Sequence, residues 1–243
     1  MRKAAAVLAV VLLLAGCGRA PGLAQLAAGE RGRVAEVRAG DVVVLDSGLA
    51  VKLAGITAPH GEEPYASEAR DALSKMAEGQ AVELSYGGAR RDAYDRALAQ
   101  VRVAKSGRWL QGALLEAGAA RVRTFADNRA MAAPMLEAEA RARAARRGLW
   151  ALAAYRVKLP NEVDDRDRAF QIVEGRVRGA APSFLDFGGL RAEVAPGAER
   201  DFAAAGKAPE SLGGRLVRVR GSVGWGGAMR LDHPEQVEVL RER

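Results

Sequence analysis

The order of apolar and polar positions divides the chain before any motif is considered. Val34, Val37, Val42, Val44, Leu45, Val51, Leu53 and Ile56 fall in short runs broken by Gly40 and by Asp46-Ser47-Gly48. That pattern predicts about three strands joined by a bulge and a tight turn, with order beginning near Arg31. After Pro64 the period changes: Ala66, Ala69, Leu73, Met76 and Ala77 recur at helical spacing and Gly79 follows as a stop. Residues 81–86 and 97–104 alternate again as strands, with a charged, glycine-bearing stretch from Gly87 to Arg96 between them. Leu110 to Ala117 reads as a short helix before Gly118, Arg121 to Phe125 as a last strand, and Pro134 to Arg147 as a helix ended by Gly148 and followed by Leu149-Trp150. Strands, helix, strands and then helices predict a small Greek-key barrel with helices at its end.

The remainder reads differently. Residues 153–169 form a polar, acid-rich linker, and six short strand patterns follow among glycine-rich turns between residues 172 and 240, interrupted by a helical piece near Arg200 to Ala205. A second, nearly all-β barrel over residues 170–243 is the economical expectation. The fold class predicted for the whole is α+β and mostly β.

At the other end, Arg2 and Lys3 precede an uninterrupted run of small and apolar residues from Ala4 to Gly16. Thirteen such residues suit an export signal and are too short to span a bilayer. The run ends in Leu14-Ala15-Gly16-Cys17 and resembles the lipobox of bacterial lipoproteins. That resemblance implies cleavage after residue 16, a lipid on Cys17 and a tether over residues 17–30. It places the protein in the cell envelope, at the outer membrane or the periplasmic face, held to a membrane through an N-terminal anchor. An ordinary signal peptide with an incidental thiol is the alternative.

Composition narrows what such a protein can do. One cysteine among 243 residues excludes an internal disulfide and any multi-cysteine metal site, and two histidines are too few for a histidine-rich cluster. The formal charge is +7, and +5 once Arg2 and Lys3 are discounted. Residues 30–152 hold 19 Lys or Arg against 16 Asp or Glu, and residues 153–243 hold 15 against 14. A surplus this mild is compatible with phosphate-bearing partners without singling them out. Aromatic residues are 5%, which leaves few side chains for base stacking. No nucleophile elbow, phosphate-binding loop, His-Glu-x-x-His or dinucleotide fingerprint is present.

Four segments carry the candidate chemistry: Ala39-Gly40-Asp41-Val42-Val43, Val51 to His60, Pro64 to Ala69, and Arg91-Asp92-Ala93-Tyr94-Asp95-Arg96-Ala97-Leu98-Ala99. With Leu110 to Gly118 and Arg146-Arg147-Gly148-Leu149-Trp150, their order and spacing over residues 31–152 resemble the staphylococcal nuclease (thermonuclease) family. The resemblance implies a five-stranded OB-type barrel with three helices, and Ca2+-dependent hydrolysis of DNA or RNA phosphodiesters. Residues 170–243 are similar to the accessory OB-like domain that follows the nuclease domain in some envelope members.

Carried over position by position, the resemblance places a calcium carboxylate on Asp41 and a phosphate arginine on Arg96. The other phosphate arginine falls on Lys52, the second calcium carboxylate on Thr57 and the general-base glutamate on His60. Lysine keeps the charge but loses the planar two-pronged donor, and threonine supplies no charge to a cation that wants several anionic oxygens. Tyr94 and Arg91 fall near the substrate, and the two base-flanking tyrosines of active members fall near Thr124 and Ala126. The expectation is therefore a non-catalytic module that binds nucleic acid, another polyanion or an envelope protein. The alternative is an active extracytoplasmic nuclease using Asp41, His60 and Arg96. Simpler roles are available too. Asp41 can cap a turn, and Arg96 can pair with Asp92 or Asp95 in a solvated loop with Arg90 and Arg91. The arginines at 141, 143, 146 and 147 can form the wet face of a helix. Trp109, Trp150 and Trp225 read as core anchors, and His233 as a turn residue.

Overall fold

The computed structural model describes residues 22–164, 169–224 and 226–241; Cys17 and Trp225 lie outside the described residues. Strand β1 (Ala27–Ala39) runs along two neighbours: its first half pairs with β5 (Ala81–Tyr86), and its second half pairs with β2 (Val42–Leu45). Strand β3 (Ala50–Leu53) follows β2 antiparallel and then lies parallel to β6 (Ala97–Val103), which closes a barrel in the order β1-β2-β3-β6-β5. Val34, Val43, Leu45, Val51, Leu53, Val82, Leu84 and Val101 fill it.

Between β3 and β5 lie the two-residue strand β4 (Ile56–Thr57) and helix α1 (Ala66–Ala77). Ala69, Leu73 and Ala77 of α1 face the core, so the helical period in the sequence is the stripe that covers the barrel. After β6 come α2 (Leu110–Glu116), β7 (Arg121–Val122), which pairs with β4, and α3 (Ala132–Ala144). Helix α3 opens two residues before Pro134, since a proline within the first turn removes no helical hydrogen bond. The two glycines past α2 and α3 abut. Gly118 and Gly148 have φ of +67° and +59°, and a Cβ on Gly118 would lie 2.0 Å from the Arg147 carbonyl oxygen. The Leu149 amide donates to the Gly118 carbonyl at 2.9 Å. This is why a Gly-Leu-Trp follows the last helix.

The beginning of the domain departs from the sequence reading. Residues 22–30 are not a free tether: Leu23 and Leu26 pack against the barrel core, and Ala27 is already in register with Tyr86. The Tyr86 hydroxyl donates to the Glu30 carboxylate at 2.5 Å. A run rich in alanine and leucine shows no two-residue alternation, so the strand in it is not visible as a pattern.

Past α3 the chain enters a β-rich second half: β8 (Phe170–Arg176), β9 (Gly179–Ala181), β10 (Phe184–Asp186), β11 (Arg191–Val194), α4 (Glu199–Ala204), β12 (Leu216–Ser222), β13 (Ala228–Leu231) and β14 (Val237–Val239). Among the described residues these form two sheets, β13-β11-β10-β9 and β14-β12-β8, in place of one closed barrel. A Val223–Met229 bridge joins them along one edge, and Val173, Leu185, Phe202, Val217, Val219 and Leu231 lie between them.

The segment read as a linker is docked. The Tyr155 hydroxyl donates to the Pro64 carbonyl at 2.6 Å, and Lys158 exchanges backbone bonds with Ile172 and Glu174 of β8. Trp150, Leu149, Tyr155, Phe170, Ile172 and Ala142 form a separate apolar cluster where the two halves meet. Around that cluster lies an ionic seam. Glu139 of α3 (0% exposed) and Arg220 of β12 (1%) are 2.8 Å apart, and Arg220 also holds Glu238 at 2.6 Å. Arg143 reaches Glu139 at 3.1 Å and lies over the Trp150 ring. Arg143 therefore belongs to the seam and not to a wet helix face; Arg141, exposed and paired with Glu116, keeps the predicted position.

Candidate nucleic-acid cleft

One side of the barrel opens into a cleft of about 840 Å3 lined by residues of the β1–β2 turn, β3, β4, the 87–96 loop and the segment after β7. Gly40 fixes the turn that carries Ala39 and Asp41 into it. A Cβ there would come within 2.7 Å of both Ala58 and Ala69, so only glycine lets the β1–β2 turn lie against α1 and the loop after β4. That closeness puts Asp41 beside Ala58, whose amide donates to Asp41 Oδ2 at 2.8 Å.

The same oxygen receives the Lys52 ammonium. Asp41 and Lys52 are both largely buried, and burial pulls the Lys52 pKa below the usual lysine value, with Asp41 opposing the shift and Arg96 and Arg123 adding to it. Thr57 lines the same cleft, half-buried on β4 and in register with Arg121.

The remaining predicted residues come to the cleft by different routes. Arg96 is held through Nε and Nη2 to one oxygen of Asp92, at 2.7 and 2.6 Å, and Asp92 also accepts the Tyr94 and Arg96 amides. Burial opposes the charge on Asp92, but these bonds win and hold its carboxyl below the ordinary aspartate value. Arg91 lies 3.6 Å from Glu30 and 3.8 Å from Asp95, both loose pairs. His60 is exposed at the rim, with Nδ1 3.5 Å from Glu63. Tyr94 stands out from the loop, 81% exposed, with the Arg96 guanidinium 5.1 Å from its ring.

Two functional candidates were not read from the sequence. Arg123 and Phe125 also line the cleft, and the Arg123 guanidinium stacks 5.6 Å from the Phe125 ring. Phe125 is 49% exposed and lies between Thr124 and Ala126. The cleft thus has two exposed rings, Phe125 and Tyr94, in its lining. Thr124 itself is buried. The signal available was the alternation Arg121, Arg123, Phe125 in a segment already read as a strand. Arg123 has no carboxylate partner among the described residues; its polar contact is the Ser222 hydroxyl at 3.3 Å.

The closed barrel in the order β1-β2-β3-β6-β5, the helices across its end and the five segments from Val51 onward now meet an independent comparison. Residues 50–152 match the family model described as Staphylococcal nuclease homologue. This part of the chain is an SNase-like OB-fold domain. A comparison with curated proteins finds no match.

An SNase-like domain raises the question of calcium, and the donor set here does not fit it. Calcium takes six to eight hard oxygen ligands, several of them anionic. Asp41 is the one carboxylate at the expected position; its Oδ2 is committed to Lys52 and the Ala58 amide, and Thr57 brings no charge. Among the described residues no three His, Cys, Asp or Glu side chains converge to hold a metal. A cation at Asp41 Oδ2 would compete with an ammonium already in contact with that oxygen. What the cleft does offer is four basic side chains, Lys52, Arg91, Arg96 and Arg123, against Asp41, Asp92 and Asp127, and two exposed rings among them.

Proposed function

We propose that the cleft of the SNase-like domain binds nucleic acid as a non-catalytic module, in a protein held to the cell envelope through a lipid on Cys17. The observation that carries this reading is the ion pair of Lys52 with Asp41, which places an ammonium where calcium chemistry would need an open carboxylate. Arg123, Arg91 and the remaining donors of Arg96 supply cations for phosphates, and Tyr94 and Phe125 supply flat faces for bases. Phosphate contacts of this kind give affinity that falls with salt.

The test is an oligonucleotide assay on the purified protein, with single-stranded DNA and RNA, in calcium and in chelator, at low salt. Binding without cleavage is expected, and a triple variant Lys52→Arg, Thr57→Asp and His60→Glu is expected to gain calcium-dependent cutting. Calcium-dependent cleavage by the parent that disappears in Asp41→Ala overturns the non-catalytic reading and favours a nuclease using Asp41, His60 and Arg96. Absence of binding at low salt favours another polyanion or an envelope protein as partner. For the anchor, Cys17→Ser is expected to move the protein out of the membrane fraction.

A further inference from the structure

The second half of the chain helps to form a further cavity, which begins where the cleft ends. A space of about 220 Å3 lies between the two halves, lined among others by Arg123, Phe125, Phe170, Ser222, Arg230 and Asp232. Arg123 and Phe125 also line the cleft, so the two cavities share a wall and meet at these two side chains. From that wall the Arg123 guanidinium donates to Ser222 of β12 and lies 5.6 Å from both the Phe125 and the Phe170 rings. On the far side Arg230 is exposed and pairs with Asp232, two residues away. A half-buried arginine without a carboxylate partner, one exposed aromatic ring and one exposed arginine are groups that grip a flexible polyanion bearing planar rings.

We propose that a single strand of nucleic acid lying in the cleft continues past Phe125 into the inter-domain cavity, where the exposed Phe125 ring contacts a base, Arg123 and Arg230 contact its flanking phosphates, and the buried Phe170 forms the apolar back wall. The inference rests on the binding reading above and gives the C-terminal half a task in it: lengthening the footprint. The docked linker and the ionic seam keep the two cavities in one fixed relation, which an extended ligand requires.

The experiment compares fluorescently labelled oligothymidylates of four and twelve nucleotides by anisotropy at low salt, on the parent and on three variants. Arg230→Glu alters only the inter-domain cavity, Ser222→Phe fills that cavity and also removes the hydroxyl that Arg123 contacts, and Tyr94→Ala alters only the cleft. Thermal melting confirms that each is folded. The twelve-mer is expected to bind the parent more tightly than the four-mer. Arg230→Glu is expected to weaken the twelve-mer about five- to tenfold and the four-mer less than twofold, and Ser222→Phe to weaken the twelve-mer more than the four-mer. Arg230→Glu is also expected to make the salt dependence of the twelve-mer shallower, by about 0.7 in slope for each phosphate it no longer neutralises. Tyr94→Ala is expected to weaken both. If the two cavity variants bind the twelve-mer as the parent does while Tyr94→Ala weakens it, the extension is wrong and the cleft reading stands. If the parent binds neither oligonucleotide, both are wrong.

Discussion

In the cleft Lys52 reaches Asp41, and at the seam between the two halves Arg220 reaches Glu139 and Glu238. Both are carboxylate and cation contacts largely removed from water, yet their surroundings differ. The seam is sealed: Arg220 Nη1 also donates to the Val122 carbonyl at 3.3 Å, Glu139 accepts the Val122 amide at 2.8 Å, and Arg143 and Arg218 stand behind Glu238. The cleft pair opens onto a cavity, with Arg96 and Arg123 close enough to depress the Lys52 pKa further. A sealed network fixes how two bodies meet. A pair at the edge of a cavity decides what that cavity can accept, and here an ammonium occupies the position next to the carboxylate.

Breaking the sealed network gives the largest expected effect. Arg220→Met removes the fully buried cation between Glu139 and Glu238 and leaves Arg143, 3.1 Å from one and 4.0 Å from the other, as the cation facing both carboxylates. A loss of about 3–5 kcal/mol in unfolding free energy is expected, measured by denaturant unfolding. A loss below about 1 kcal/mol would mean that water enters the seam and that the two halves are held by the Trp150, Tyr155 and Phe170 cluster alone.

Breaking the cleft pair costs less. Lys52→Met leaves Asp41 with the Ala58 amide as its partner, and the cavity admits water to the freed oxygen. The expected loss is about 1–3 kcal/mol in the same measurement. The comparison sharpens if Lys52→Met with Thr57→Asp gains a calcium-dependent rise in melting temperature that the parent lacks. Two free carboxylates without that gain would show that the ammonium is not what keeps calcium out.

The two regions were unequally legible in the sequence, for a physical reason. The barrel strands and helices follow from periods of two and 3.6, because burial of one face is a local requirement written into neighbouring positions. The cleft residues Asp41, Lys52, Thr57, His60, Arg91, Tyr94 and Arg96 were found because they lie within motifs of known order. That Lys52 would touch Asp41 was not visible, since the contact depends on the β2–β3 register, which sets Lys52 opposite Val42 and the Leu53 amide on the Asp41 carbonyl. The seam was not legible at all. Arg141 and Arg143 look alike in the sequence, two arginines in the last turn of one helix, yet Arg141 is exposed beside Glu116 and Arg143 is half-buried beside Glu139. Charged residues on a helix read as solvated until a partner domain is placed on them. His233 stands in a turn as expected, but that turn is buried, and its Gln236 donates to the Arg220 and Arg230 carbonyls.

The smallest effect separates the rim of the seam from its sealed centre, through pH. Glu235 lies beside His233 in the C-terminal half and accepts two bonds from Arg129 Nη1, at 2.9 and 3.3 Å, while His233 Nδ1 is 3.0 Å away; Arg129 also reaches Asp201. Burial alone would raise the Glu235 pKa, but the His233 and Arg129 contacts outweigh it and bring it down to about 2 from an ordinary value of 4.5. A carboxyl depressed on folding stabilises the native state above its unfolded pKa, and that contribution disappears as the pH falls through the folded one. Its share of stability is thus complete near pH 6 and is lost between about pH 4.5 and 2. Discounted for the partial exposure of the side chain, the share is on the order of 1–2 kcal/mol. Glu235→Gln should lose that amount at pH 7 and converge with the parent at pH 2, followed by urea unfolding across the range. A constant offset at every pH would mean that the substituted amide fails to pack and that the charge on Glu235 contributes nothing.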